Sequence, residues 1–239
     1  MSRARRPIRR LMLGVFLAGM LALLLYQLGL FAMVVWFNFR DPGITRVMHQ
    51  TLRALRAENP DATLEVQWTP YAQIATSLKR AVVASEDTGF TEHDGVEWDA
   101  IRKAWKYNQR QADLGRDRRR GGSTITQQVA KNLFLSNERS YLRKGQELVL
   151  TYMIEAVMSK ARILEIYLNV AQWGGNVFGA QAAARHYYRT DAGRLSNAQA
   201  ARLAAMLPNP AYYDARGVTS YLRGRAATIQ ARMRQVDIP

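Results

Sequence analysis

The sequence predicts a mainly α protein in which one membrane-spanning helix precedes a folded helical domain. Residues 11–39 carry no charged side chain, which is typical of a helix in a bilayer. Beyond residue 69, apolar residues recur at helical spacing, and short loops separate the resulting segments. One short stretch, residues 64–68, alternates like a strand. This pattern favours one all-α or mostly α domain behind the anchor.

The uncharged run near the N-terminus is interpreted as an uncleaved signal anchor. It exceeds the roughly 20 apolar residues that a membrane-spanning helix needs. A cleaved signal peptide would have an apolar core of roughly 7–15 residues and a small-residue cleavage site, which this sequence lacks. The arginine cluster before the run favours a cytoplasmic N-terminus, so the chain after Phe39 is expected across the membrane. A buried core helix is the alternative, but the run is too long and its arginine flank too one-sided.

These features divide the chain into four predicted segments. Residues 1–10 form a cytoplasmic basic tail, and residues 11–37 form the transmembrane signal anchor. The turn residues at 40–43 break the helix. They fall within a membrane-proximal linker over residues 38–64, which is followed by the folded domain over residues 65–239.

Composition narrows the possible chemistry and the possible partners. The chain of 239 residues has no cysteine, which excludes disulfides, thiolate zinc sites and a thiol nucleophile. Its formal net charge is +15, so an acidic partner is expected. Nucleic acid, anionic lipid head groups and a phosphorylated substrate all fit this charge.

An amphipathic helix is predicted just before the most unusual loop of the sequence. Thr69 suits the N-cap position of this helix, and Pro70 suits its first helical position. Ile74, Leu78 and Val82 follow at helical spacing and give the helix one apolar face.

Two carboxylates, Glu86 and Asp87, stand side by side where this helix ends. A buried core disfavours adjacent carboxylates, whereas a cleft that needs a general base can use them. Burial and a neighbouring like charge raise a carboxyl pKa toward the working pH. Phe90 and His93 are in position to wall and orient such a site, and Gly95 permits a tight turn. The alternative is a solvated helix end followed by acidic loop residues.

A glycine-rich stretch over residues 121–132 predicts the start of another helix. Ser123 is a natural N-cap, and the free N–H groups at such a helix start suit a phosphate. Thr124, Gln128 and Lys131 are spaced to share one face of the helix. The residue order does not match a Walker loop. A polar, solvated helix face is the alternative, although the arginine-rich run just before this stretch makes it less favourable.

Charged residues on the following helices could form structural ion pairs or belong to a functional site. Arg143 and Glu147 lie one helical turn apart, and on an exposed face they would form an ordinary ion pair worth about 0.2–0.5 kcal/mol. Glu155 and Glu165 are expected to be structural, tied to Lys160 or Arg162.

Taken in order, these stretches resemble the peptidoglycan glycosyltransferases, glycosyltransferase family 51. The first signature of that family, Glu-Asp-x-x-Phe-x-x-His-x-Gly, is matched by residues 86–95. The second, Gly-x-Ser-Thr-(Ile/Leu)-(Thr/Ser)-Gln-Gln-x-x-Lys-Asn, is matched by residues 121–132. The third, Arg-Lys-x-x-Glu, and the fourth, Lys-x-x-Ile-Leu-Glu-x-Tyr-Leu-Asn, are matched by residues 143–147 and 160–169. The resemblance covers roughly residues 65–215, and four spaced signatures make it very specific.

The resemblance implies a mainly helical, lysozyme-like fold with a small membrane-facing lobe. The implied substrate is lipid II, a disaccharide-pentapeptide on undecaprenyl pyrophosphate. It would be polymerised into glycan strands with inversion at the anomeric carbon and release of undecaprenyl pyrophosphate. The chain leaves no room for the penicillin-binding transpeptidase domain of bifunctional relatives, so a monofunctional enzyme is expected. Gly89 departs from the long polar residue common in the family, so no substrate contact is carried over to it.

The resemblance also implies roles for the signature residues. Glu86 is expected to be the general base for a sugar hydroxyl, and Lys131, Arg143 and Lys144 are expected to bind the pyrophosphate. Glu147 is expected in the catalytic site near the pyrophosphate, where its carboxylate could hold a divalent cation, Mg²⁺ or Mn²⁺. The remaining expected substrate-binding residues are Asp87, Phe90, His93, Ser123, Thr124, Gln127, Gln128 and Asn132.

The implied setting is the inner membrane, crossed once, with the N-terminus in the cytoplasm and the catalytic domain on the periplasmic side. Expected partners are lipid II, the growing glycan strand, the membrane and other cell-wall synthesis and division proteins, but not nucleic acid. A membrane-bound muramidase or lytic transglycosylase is a rival interpretation, but it would not need the cations Lys131, Arg143 and Lys144. A nucleic-acid-binding module would fit the net charge, but export of the domain argues against it.

Overall fold

The computed structural model describes residues 5–116, 121–136 and 140–239, with side chains from residue 9 onward. The first residues of the predicted basic tail and most of the arginine-rich run before residue 121 lie outside these ranges. Contacts divide the chain into two units, Met1–Arg40 and Asp41–Pro239. About 70% of the chain is helical, which confirms the mainly α class. The lysozyme-like arrangement of lobes stays a prediction.

The first unit is one long helix, α1 (Arg5–Phe39). Its apolar part, Arg9–Phe39, has 31 residues and a mean hydropathy of 2.2. At roughly 1.5 Å of rise per residue this part is about 46 Å long, more than the roughly 30 Å of a bilayer core. The guanidinium of Arg40 lies 5.9 Å from the centre of the Trp36 ring at the end of the helix. The helix is therefore long and apolar enough to cross a membrane, as the sequence predicted.

The second unit consists of helices joined by short loops, with one small sheet. Three single turns of 3-10 helix lie at Tyr71–Gln73, Ala192–Arg194 and Met233–Gln235. In chain order the other elements are α2 (Arg46–Glu58), β1 (Glu65–Val66), α3 (Thr76–Glu86), α4 (Trp98–Asp113), α5 (Ile125–Phe134), α6 (Tyr141–Val157), α7 (Lys160–Val170), β2 (Val177–Phe178), α8 (Ala180–Tyr188), α9 (Asn197–Met206), α10 (Pro210–Arg216) and α11 (Ser220–Arg232).

The start of α3 differs from the prediction, because tertiary hydrogen bonds hold the backbone before it. The amide of Asn169 on α7 accepts from the Thr69 N–H at 2.8 Å and donates to the Thr69 carbonyl at 2.9 Å. The carboxylate of Glu165 accepts from the Tyr71 N–H at 3.1 Å. These backbone groups are satisfied outside a helix. A 3-10 turn therefore occupies Tyr71–Gln73, and α3 begins only at Thr76.

The strand predicted over residues 64–68 is confirmed for its two residues Glu65–Val66, which form β1. Strands β1 and β2 pair in parallel, with Glu65 opposite Val177. Gly179 follows β2 with a φ of +86°, and a Cβ there would lie 2.9 Å from the backbone oxygen of Asn169. This close approach requires glycine, because other residues rarely adopt that φ.

The buried core forms two helix groups that support the candidate site. Helix α3 packs against α9 and α11, and α5 packs against α6 and α7. Helix α2 also packs against α5, so part of the expected linker over residues 38–64 lies within the second unit. Two glutamates have the expected structural roles: Glu155 pairs with Lys160 and Glu165 pairs with Arg162, each at 2.9 Å.

Candidate active site

Asp87 joins the first two signature stretches. Its Oδ1 lies 2.9 Å from Nε2 of His93, and its Oδ2 accepts from the Ile125 N–H at 2.9 Å. Ile125 is the first residue of α5, where a carboxylate is favoured by the exposed N–H groups and the helix dipole. Asp87 is buried in this position. Its contacts therefore anchor the loop after α3 to the start of α5.

A capping box closes the start of α5 and corrects two expectations. The N-cap is Thr124 rather than Ser123: the Thr124 hydroxyl accepts from the Gln127 N–H, and Gln127 Oε1 accepts from the Thr124 N–H at 3.0 Å. The Thr124 hydroxyl also donates to the Gly95 carbonyl at 2.6 Å. Thr124 and Gln127 are both buried. Together with Asp87 they occupy N–H groups that were expected to bind a phosphate.

His93 is part of the same framework. The Gly95 N–H donates to its Nδ1 at 3.1 Å, so Nε2 carries the hydrogen that faces Asp87. Burial opposes the charged imidazolium, but the hydrogen bond and charge of Asp87 outweigh it and raise the pKa of His93. Lys160 donates to the His93 carbonyl at 2.6 Å and to Glu155 at 2.9 Å. The fourth signature thus holds the loop formed by the first.

Two further residues expected to bind substrate are buried in this structure. The ring of Phe90 is fully buried, packs edge-on against His93 and lies 4.8 Å from the Lys160 ammonium. Phe90 therefore packs in the core and does not wall an open site. Asn132 on α5 is also buried, and its side chain has no hydrogen bond within residues 9–116, 121–136 and 140–239.

Glu86 lies at the end of α3 and has different partners from its neighbour Asp87. Its Oε1 accepts from the Ser85 hydroxyl at 3.0 Å, and its Oε2 accepts from the Gln128 amide at 3.1 Å. Nη2 of Arg225 lies 3.8 Å from Oε1. The Glu86 side chain is 15% exposed. It is therefore a held carboxylate that solvent or a substrate can still reach.

Three side chains around Glu86 were not predicted to belong to the site. Arg225 on α11 donates to the Ser85 hydroxyl at 3.1 Å, and the Tyr167 hydroxyl on α7 donates to Gln128 Oε1 at 3.2 Å. Ser85 and Tyr167 lie in or beside signature stretches, which is a signal that could have pointed to them. Arg225 lies in a distant helix without a recognisable motif, so only folding brings it to the site.

Glu147 is a buried carboxylate at the centre of a group of charges. It is 3% exposed, and its Oε2 accepts from Arg143 at 2.7 Å while its Oε1 is bound by the Lys144 ammonium. Lys144 also donates to the exposed hydroxyl of Ser123 at 3.3 Å. The alternative of an ordinary exposed ion pair therefore does not hold for Arg143 and Glu147. The third signature builds a linked cluster that reaches the second signature.

Lys131 adds a third cation to this cluster. Burial, together with the charges of Arg143 and Lys144, lowers the pKa of Lys131, although Glu147 and Glu86 oppose the shift. Within the described residues its ammonium has no hydrogen-bond partner. The cluster thus holds three cationic side chains and one carboxylate, and the least compensated cation is Lys131. An anionic group would stabilise this arrangement.

Comparison with known proteins identifies the family. The profile of the transglycosylase family matches residues 52–234. The chain belongs to this transglycosylase family. It is 65% identical over 230 residues to the biosynthetic peptidoglycan transglycosylase of Bordetella pertussis, covering 96% of this chain and 95% of that relative. The protein of the same name from Bordetella avium is 61% identical over 238 residues, covering 100% and 99% of the two chains. That of Herminiimonas arsenicoxydans is 50% identical over 232 residues, covering 97% and 99%.

Within the described residues, the carboxylates of this transglycosylase do not form a metal-binding cluster of their own. No cluster of three or more potential metal-binding side chains of His, Cys, Asp or Glu occurs in the described part of the chain. Glu147 supplies one carboxylate, and Arg143 and Lys144 already occupy its two oxygens. A divalent cation would need further ligands from a bound substrate, as is common for Mg²⁺.

We expect Asp87→Ala to destabilise the start of α5. The buried Ile125 N–H loses its charged acceptor, and such a loss costs about 1.5–3 kcal/mol. Thermal unfolding should therefore occur at a lower temperature, and amide hydrogen exchange at Ile125 should be faster. Asp87→Asn keeps an acceptor and should retain part of the protection.

Asp94→Ala provides the control for this prediction, because Asp94 is an exposed acid in the same loop. It should leave exchange at Ile125 unchanged. If the Ile125 amide hydrogen exchanges at the same rate in Asp87→Ala and in the wild-type protein, the contact of Asp87 with α5 has no structural importance.

Proposed function

We propose that this transglycosylase polymerises lipid II into peptidoglycan glycan strands and releases undecaprenyl pyrophosphate. The general activity, glycosyl transfer in peptidoglycan synthesis, follows from the family and from relatives named biosynthetic peptidoglycan transglycosylases. One observation carries the finer proposal: a reachable, firmly held carboxylate, Glu86, lies close to a cluster in which three cations surround the single buried carboxylate of Glu147. A glycosyl transfer with a pyrophosphate leaving group needs both features.

Glu86 is proposed as the general base. The carboxylate would accept the proton of the attacking sugar hydroxyl while that oxygen forms the new bond at the anomeric carbon. A single displacement of this kind inverts the anomeric carbon, as in inverting glycoside hydrolases, and needs no covalent enzyme intermediate. Ser85 and Gln128 support the role because each holds one oxygen of the carboxylate. Orientation of the reacting groups is a large part of catalysis.

The cations around Glu147 are proposed to bind the pyrophosphate that leaves. The bond from the anomeric carbon to the phosphate oxygen breaks, and negative charge develops on that oxygen. Lys131 supports this proposal because its partly buried ammonium has a lowered pKa and no hydrogen-bond partner within the described residues. A phosphate oxygen would give it a charge-assisted hydrogen bond. Arg143 and Lys144 are close enough to share the same anion, since both contact Glu147.

A divalent cation is proposed to join Glu147 only together with the pyrophosphate. The carboxylate alone supplies too few ligands, and its oxygens are engaged by Arg143 and Lys144. When bound, the ion would neutralise phosphate charge. The proton transfer to Glu86 does not depend on it.

The proposed location is the inner membrane, with α1 as the single anchor and the enzymatic unit on the periplasmic side. The length and hydropathy of Arg9–Phe39 support a single-pass anchor. The arginines that precede this segment support a cytoplasmic N-terminus. A lipid-linked substrate supports an enzyme that stays at the membrane surface.

Glu86→Gln should lower the rate of polymer formation from lipid II by about 10²–10⁴, the usual contribution of general base catalysis. The amide keeps the shape of the side chain but cannot accept the proton. Glu147→Gln should also lose activity, but the loss should vary with Mg²⁺ or Mn²⁺ concentration. The measurement is glycan polymerisation by both variants across a metal titration that includes a chelator.

Glu92→Gln is the matched control, because Glu92 is an exposed glutamate in the loop that follows Glu86. It should polymerise lipid II at the unchanged rate. Near-normal turnover by Glu86→Gln would exclude the general-base role. If no metal concentration alters the activity loss of Glu147→Gln, the metal proposal is excluded. If the enzyme shortens the glycan of sacculi and forms no polymer from lipid II, it is a lytic enzyme.

Lys131→Arg should extend activity to higher pH. Because the pKa of Lys131 lies below that of an ordinary lysine, wild-type kcat/KM should fall as rising pH removes the ammonium charge. Arginine stays charged across this range, so the alkaline decline should move upward in the variant. The measurement is the pH profile of kcat/KM for lipid II, with the exposed Lys103→Arg as control. If kcat/KM falls over the same alkaline pH range in the wild type, Lys131→Arg and Lys103→Arg, Lys131 does not make a charged contact with the substrate.

We expect a topology reporter fused after Pro239 to lie in the periplasm. A reporter that works only there should be active, and one that works only in the cytoplasm should be inactive. An alkaline phosphatase fusion is therefore expected to be active, and a fluorescent protein that needs the cytoplasm is expected to be dark. Deleting the arginines of residues 3–10 should weaken this preference. Activity confined to the cytoplasmic reporter would overturn the proposed orientation.

A further inference from the structure

We propose that Tyr167 is a positioning residue for Glu86 and acts through the amide of Gln128. The proposal rests on the proposed role of Glu86 as general base. Tyr167 lies on α7, Gln128 on α5 and Glu86 at the end of α3. Three helices thus contribute one side chain each to a single line of hydrogen bonds.

The direction of these hydrogen bonds follows from the chemistry of the three groups. An ionised carboxylate can only accept, so the NH₂ end of Gln128 must face Glu86 Oε2, which it meets at 3.1 Å. The carbonyl end of the same amide then faces the Tyr167 hydroxyl, which donates to it at 3.2 Å. A flipped amide would place its oxygen against the carboxylate, which cannot donate to it. Glu86 therefore selects the amide orientation, and the Tyr167 hydroxyl holds that orientation by donating to the carbonyl end of the amide.

Tyr167 is well suited to be a permanent donor. Its side chain is 1% exposed, and α7 around it is almost entirely buried, so the ring cannot change its position easily. Burial first, and then the charges of Glu86 and Asp87, raise the pKa of Tyr167 well above its usual value. The phenol thus stays protonated at any working pH. Within the described residues, Gln128 is the hydrogen-bond partner of this hydroxyl.

This arrangement changes the interpretation of Gln128. The sequence predicted a substrate contact, but the carbonyl oxygen of Gln128 already accepts from Tyr167, and one hydrogen of its NH₂ points to Glu86. Oε1 of Glu86 is held in a similar way by Ser85, which accepts from Arg225. The carboxylate is therefore fixed from both sides by neighbours that are themselves fixed.

Tyr167→Phe tests the proposal, because it removes one oxygen and leaves the buried ring in place. In full-length protein with lipid II as substrate, kcat should fall about three- to tenfold, the value of one hydrogen bond, while KM stays within about twofold. The acid limb of the kcat/KM pH profile should move to higher pH, because the carboxylate loses a stabilising neighbour. The charged groups near Glu86 are unchanged in this variant: the adjacent Asp87, Lys131 on α5 and Arg225 on α11.

A double-mutant cycle separates positioning from structure. With Gln128→Ala in place, Tyr167→Phe should cause no further loss, because the amide that connects the Tyr167 hydroxyl to Glu86 is gone. Gln128→Met, which fills a similar volume but cannot donate, should reproduce the loss of kcat even if Tyr167→Phe were unstable. Tyr188→Phe, at a partly buried tyrosine on α8, is the control and should leave kcat unchanged.

The outcomes also distinguish this proposal from the proposed function. Normal turnover by Glu86→Gln would overturn the function itself. An inactive Glu86→Gln combined with normal kcat and pH profile in Tyr167→Phe would overturn only the positioning role. Additive losses in the double mutant, or a lower unfolding temperature without a shift of the acid limb, would assign Tyr167 to folding and overturn the proposal.

Discussion

The candidate site depends on the contacts that the Asp87 carboxylate makes with the start of α5 and with His93. The carboxylate accepts from the first N–H of α5 and faces the imidazole of His93, so the end of α3 and the start of α5 are held together. Glu86 immediately precedes Asp87, and anchoring one residue limits the position of the other. Because both partners of Asp87 are buried or partly buried, loss of the carboxylate would leave polar groups unsatisfied in a poorly solvated place.

A second constraint is the excess of positive charge around Glu147. Burial of a charged group is unfavourable unless a partner compensates it. Glu147 compensates Arg143 and Lys144 directly, whereas Lys131 has no hydrogen-bond partner in the described structure and a lowered pKa. The excess positive charge of this cluster favours binding of an anion. Without the anion, the partly buried cations lower the stability of the fold. The three cations come together because Lys131 lies on α5, Arg143 and Lys144 lie on α6, and these two helices pack against each other.

Several signature residues support the candidate site through contacts within the protein. Asp87 and Asn169 satisfy buried backbone groups on distant elements, and Lys160 fixes the His93 carbonyl. Side chains that remain reachable include Glu86, at 15% exposed, and Lys144, at 47%. The signatures therefore include residues that hold the site in place as well as residues that can take part in its chemistry. The proposed role of Tyr167 belongs to this supporting group.

Local sequence patterns determined the anchor, the helical class, the short strand and the candidate base and cations. Charge-free length, apolar spacing and the order of signature residues are properties of neighbours along the chain, so they can be read without a fold. The tertiary structure decided that Thr124 caps α5, that Phe90 is core, that α3 begins at Thr76 and that Arg225 reaches Glu86. These outcomes depend on hydrogen bonds and packing between distant segments. Because burial and long-range partners arise only when the helices pack, no local pattern could decide them.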